Sequence, residues 1–145
     1  MDGVSLQPLK QIVNEKGDLY HAMKKSSPGF EGFGEAYFSS VTHGVVKGWK
    51  QHQRMTLNLV VPVGAIAFVV YDERPDSQTR GEFFQQILSQ ENYQRLTVAP
   101  GLWMAFAGVS RNLNLLLNIA SIEHDPDEAR NRDLTEIPYA WDALS

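Results

Sequence analysis

The chain contains no cysteine. That excludes disulfides, thiolate zinc sites and cysteine nucleophiles together, and it fits a reducing compartment. Basic charge is also scarce. With 13 Lys and Arg against 17 Asp and Glu, the formal net charge is −4, so the electrostatic footprint of a general nucleic-acid binder is missing. No apolar run reaches the ~18 residues that a membrane-spanning helix needs. The longest candidate, residues 59–71, is broken by Pro62 and Gly64. The opening MDGVSLQPLKQ has no basic start followed by an apolar core, so no signal peptide is expected, and the expected location is the cytoplasm. Four signatures are absent as well: G-x-S-x-G, G-x-G-x-x-G, the P-loop and H-E-x-x-H. A serine triad of the hydrolase type, a dinucleotide cradle and a helix-borne zinc pair therefore have no support.

What is present is an ordinary globular composition, 43% hydrophobic and 21% charged over 145 residues. That is enough chain to bury a core without staples, and it is read as one domain, residues 1–145, with 1–25 as an N-terminal arm and 121–145 as a C-terminal tail. Strand signals dominate. Met55, Leu57, Leu59 and Val61 alternate with Thr56 and Asn58, the period of a half-buried strand. Residues 65–71 are apolar on both faces, as in a strand inside a sandwich. Further strands are predicted over 35–40, 45–52, 83–88, 95–99, 103–109 and 113–120. In the last of these Leu113, Leu115 and Leu117 share one face, and Asn112, Asn114 and Asn118 the other. Short strands at about 8–12-residue spacing, punctuated by Gly and Pro, predict an all-β sandwich or barrel. Residues 125–132 are read as a short helix, with Asp125 as cap and Pro126 in the first turn.

The residues with chemistry to offer gather near one strand, VVKGWKQHQR. Lys50 and His52 stand two apart and so project from one face. Together they could bind an anion or serve as acid and base; equally, they could lie on an exposed strand face. Lys47, Arg54, Arg74 and Arg80 are the neighbouring cations, and two of them converging would clamp a diphosphate. His21, His43, His52 and His124 show no metal-ligand spacing, so no metal site is expected. Tyr20, Phe30, Phe33, Tyr37, Phe38, Trp49 and Trp103 could line a cleft, but aromatics at strand spacing are mostly read as core. The glycines of PGFEGFG are read as a flexible loop.

Four passages, in order, resemble the dTDP-4-dehydrorhamnose 3,5-epimerase family, in particular its short relatives. They are GEAYFSSVTHGVVKGWKQH, VVPVGAIAFVVYDERPDSQTRGEF, LSQENYQRLTVAPGLWMAFAG and EIPYAWD. The resemblance implies a cupin-type β-sandwich (jelly roll), a homodimer, and action on a nucleotide-linked 4-keto sugar in deoxysugar or polysaccharide biosynthesis. It implies proton removal beside the ketone and return on the other face, with no metal and no organic cofactor. No nucleic-acid or membrane partner is expected.

The sequence departs from that family at the reacting positions. Lys50 stands where the family has its histidine, Pro100-Gly101-Leu102-Trp103-Met104 lacks the family's second histidine, and the strand over 113–120 lacks the family tyrosine. The carboxylate that orients the histidine in longer members would fall past Ser145. His52 matches a histidine of the short relatives. The expected site therefore has Lys50 and His52 as a replacement catalytic pair, Lys47, Arg54 and Arg74 at the diphosphate, and Trp49, Tyr37 and Trp103 as walls. A non-catalytic binding or assembly module on the same scaffold is the competing reading.

Overall fold

The computed structural model describes residues 1–144; Ser145, the end of the expected tail, lies outside the described residues. In chain order the strands are β1 (Val4–Pro8), β2 (Gln11–Ile12), β3 (Leu19–Tyr20), β4 (Glu35–Ser40), β5 (Val46–His52), β6 (Leu57–Val63), β7 (Ala65–Tyr71), β8 (Phe83–Ser89), β9 (Gln94–Val98), β10 (Trp103–Gly108), β11 (Leu115–Ala120) and β12 (Ala129–Asn131). They form two five-stranded sheets, ordered β1-β9-β6-β11-β4 and β12-β5-β10-β7-β8, and a separate β2-β3 pair. The strands pair antiparallel throughout. This is the sandwich that the alternation implied, of the cupin type that the resemblance implied. The arm and the tail each supply an edge strand, β1 and β12.

The alternation on β6 decides where the main core lies. Met55, Leu57, Leu59 and Val61 meet Ile66, Phe68 and Val70 of β7 and Leu96 and Val98 of β9 between the two sheets. β7 is buried on both faces for a specific reason. Its other face, through Val69 and Tyr71, joins a second cluster of Trp49, Trp103, Ala105, Ile137, Tyr139 and Trp141. The tail thus roofs the outer face of the second sheet. Burying one such indole removes ~150–250 Å² from water, worth roughly 4–6 kcal/mol as an upper figure.

Three expectations are corrected. Residues 125–132 are not helical. The Asp125 carboxylate accepts from the Asp127 backbone N–H two residues on, a turn contact instead of a helix cap, and residues 129–131 continue as β12 against β5. Of the aromatics read mostly as core, Phe33 and Phe38 are each 64% exposed, and Tyr20 and Tyr37 are also exposed; only Trp49 and Trp103 are fully buried. The glycine loop over 28–34 is anchored: Asn58 Nδ2 donates to Gly29 O, and a Cβ on Gly34 would sit 2.0 Å from the Ile122 backbone carbon. On β11, Leu116, Asn118 and Ala120 point inward, while Leu115 and Leu117 lie half-buried on the outer face.

Candidate functional site

A cavity of about 340 Å³ opens between the sheets. Lys47, Lys50 and His52 of β5, Met104 and Phe106 of β10 and Asn131 of β12 line one wall. Tyr37 and Ser39 of β4, Leu57 and Leu59 of β6, and Leu116 and Asn118 of β11 line the other. Apolar and polar side chains share both walls.

A bulge explains how two lysines three residues apart reach one cavity. β5 pairs with β10 as Lys50 with Met104 and Lys47 with Phe106, so Gly48 and Trp49 together oppose Ala105. The extra residue resets the side-chain alternation. Lys47, Lys50 and His52 then share the inner side, and the Trp49 indole is thrown outward. Only glycine fits at position 48. Its φ is +147°, and a Cβ there would lie 2.4 Å from Ala105 Cβ.

His52 is held by a residue that sequence reasoning missed. Its Nδ1 hydrogen-bonds Glu128 Oε1. The same carboxylate accepts, at Oε2, the backbone N–H groups of Gln53, Arg54 and Met55 at 3.1, 3.0 and 3.3 Å. Glu128 is buried. Burial pushes its carboxyl pKa up, but the hydrogen bonds from His52, Arg54 and Met55 outweigh it and hold the pKa at about 2. A charged carboxylate on Nδ1 fixes the proton there and leaves Nε2 as the basic nitrogen. Glu128 lies 76 residues from His52, and nothing in its spacing announces it.

Lys47 Nζ donates to Ser40 O at 2.6 Å. Lys50 is exposed at the cavity wall, and its side chain makes no hydrogen bond or ion pair among the described residues. The structure therefore brings together Lys47, Lys50, His52 and Tyr37.

Of the other four expected residues, three sit elsewhere. Trp49 borders the cavity at the bulge, but its indole is 1% exposed in the second cluster, against Trp141. Trp103 is in the same cluster, with the Arg132 guanidinium 4.3 Å over its ring. Arg54 pairs with Asp125 at the surface. Arg74 donates from Nε and Nη2 to the buried Asp72 carboxylate, which also accepts from Ser77 and Thr79. The Arg74 contact, with those hydroxyls, drives the Asp72 pKa well below the usual carboxylate range despite burial. The Asp-x-Arg and Ser-x-Thr elements of the sequence thus lock the 72–82 loop. Arg74, Arg54 and Trp103 do not line the cavity. Among the described residues, no three His, Asp or Glu side chains gather as metal ligands.

Comparison with known proteins agrees with this architecture. The family model for dTDP-4-dehydrorhamnose 3,5-epimerase matches residues 3–142. The Haloferax volcanii protein named "Probable low-salt glycan biosynthesis epimerase Agl13" is 30% identical over 94% of this chain and 86% of its own length. The spore coat polysaccharide biosynthesis protein SpsL of Bacillus subtilis is 25% identical over 98% of this chain and 91% of its own. A solved dTDP sugar isomerase of Desulfovibrio desulfuricans G20 superposes with a TM-score of 0.92 and 38% identity, over 97% of this chain and 92% of that one. The chain belongs to the dTDP-4-dehydrorhamnose 3,5-epimerase family.

Proposed function

We propose that this protein binds a nucleotide-linked 4-keto sugar in the cavity and moves the proton on the carbon beside the ketone, as an isomerase of deoxysugar or polysaccharide biosynthesis. The observation that carries this is the His52–Glu128 pair on the cavity wall. An imidazole whose far nitrogen is held by a buried carboxylate is the arrangement a carbon-acid base needs. Lys50 stands exposed on the same wall. Its role is that of a fixed cation for the enolate oxygen that forms when the proton leaves. Lys47 on the same wall serves the enolate or the diphosphate. The names of the family and of the dTDP sugar isomerase support the substrate class. At about 340 Å³ the cavity is at the small end of the roughly 300–1,000 Å³ usual for ligand sites. It suits the hexose, with the nucleotide lying along the mouth.

We further assign a homodimer and a cytoplasmic location. The first is supported by the apolar outer face of the first sheet, where Phe38 and Leu113 are 64% and 55% exposed; light scattering of the purified chain tests it. The second is supported by the absence of cysteine and by a substrate made from nucleotide precursors. Incubation with a dTDP-linked 4-keto-6-deoxyhexose in D2O tests the activity. Deuterium is expected on a carbon flanking the ketone. No incorporation, with a thermal shift on adding dTDP sugars, would leave a binding module instead.

A further inference from the structure

The wall facing His52 carries a polar pair. Asn118 on β11 and Tyr37 on β4 are direct cross-strand partners, and both line the cavity. Asn118 is 2% exposed. Its Nδ2 donates to the Tyr37 hydroxyl at 3.0 Å, and no protein donor reaches its buried Oδ1. Buried amide oxygens are nearly always paired, so an orphan on a cavity wall points to a ligand that supplies the donor.

The direction of the Asn118–Tyr37 bond fixes the phenol's proton. Its oxygen accepts from Asn118, so its own O–H must be given elsewhere. Among the described residues it donates to no acceptor. His52 stands on one sheet and Tyr37 on the other, so a flat enolate between them would show one face to each.

We propose that Tyr37 is the proton donor for the face opposite His52, and that Asn118 is its positioning residue and accepts a sugar hydroxyl at Oδ1. This rests on the proton-abstraction activity proposed above. The step balances without any redox partner. The C–H bond beside the ketone breaks, its proton goes to His52 Nε2, and its electron pair delocalises onto the ketone oxygen. The Tyr37 O–H bond then breaks, and a new C–H bond forms on the opposite face of the same carbon. The phenolate is stabilised by Asn118 Nδ2–H and by Lys47 and Lys50 across the cavity. It regains a proton from water, and the imidazolium returns one.

The test separates exchange from inversion. The intact protein is incubated in D2O with a dTDP-linked 4-keto-6-deoxyhexose. NMR follows label at the carbons flanking the ketone and the configuration there. In Tyr37→Phe, His52 still removes the proton and returns a deuteron to the same face. Label is expected at near the wild-type rate with configuration retained, and inverted product is expected to fall about 10²–10⁴-fold. Asn118→Leu should raise the ratio of exchange to inversion in the same sense while leaving the melting temperature within a few degrees. Inversion by Tyr37→Phe within threefold of wild type overturns the proposal. So does an equal fall of exchange and inversion, because a residue that only binds substrate would lower both. Absence of label in the wild type removes the underlying activity, and the Tyr37 assignment with it.

Discussion

Replacing Glu128 with glutamine isolates the orientation of His52. Oε2 of Glu128 takes three backbone N–H groups and Oε1 takes His52 Nδ1. A glutamine must keep its oxygen on the three N–H groups, since its amide nitrogen cannot accept. The NH2 then faces Nδ1, which becomes an acceptor, and the imidazole proton is forced onto Nε2. The ring keeps its place and loses its function as base toward the cavity. The proton-abstraction rate should fall about 10²–10⁴-fold, the range a positioned general base contributes. Stability should change far less. Exchanging charge-assisted for neutral hydrogen bonds costs about 1–2 kcal/mol, a few degrees of melting temperature for a chain of this size. Deuterium incorporation in D2O gives the rate, and 15N NMR of the imidazole reads the tautomer. Exchange within threefold of wild type, with the proton shown on Nε2, would refute the assignment of His52 as base.

Other expectations follow from the same geometry. Gly48→Ala must push against Ala105 and adopt a φ that side chains avoid. It should cost about 1–3 kcal/mol or more and weaken ligand binding by re-aiming Lys50 and His52, as denaturant melts and ligand titration would show. Acid unfolding should carry the signature of Glu128. Its pKa is lowered from 4.5 to about 2, so its contribution is present above pH ~4.5 and is lost as pH falls toward ~2; roughly 3 kcal/mol is at stake. Glu128→Gln should flatten the stability profile in that window, and an unchanged slope would contradict the assignment. Trp49→Ala should cost about 3–5 kcal/mol by emptying the second cluster. The more conservative Trp49→Phe should leave affinity for dTDP sugars within threefold, because the indole points away from the cavity.

Much of the sandwich was readable in the chain. The alternation of Met55, Leu57, Leu59 and Val61 marks the row that faces the main core, although Thr56, Asn58 and Val60 between them are buried too and the strand is not half-exposed; the two-sided apolarity of β7 follows from having a core on one face and the tail on the other. The grouping of side chains on β11 was also correct. That pattern does not say which group faces in: Leu115 and Leu117 lie on the outer face and Asn118 on the inner, the reverse of the usual preference. Lys50 and His52 were found through strand spacing, and Lys47 only as a nearby cation, because a bulge breaks the period. Glu128 escaped because Asp125-Pro126 imitates a helix start, while its partner lies on a distant strand. Arg74 was a plausible diphosphate ligand by type; a neighbouring buried aspartate claims it, and pairing of that kind is invisible without coordinates.

The segment from Glu128 onward has a bearing on biosynthesis. The orienting carboxylate, the strand that edges the second sheet and the roof over Trp49 all come from residues 128–141. A nascent polypeptide emerging from the ribosome therefore owns every lysine, tyrosine and histidine of the pocket well before it can use them. Chains interrupted ahead of that point would lack both the carboxylate that holds His52 and the strand that edges β5.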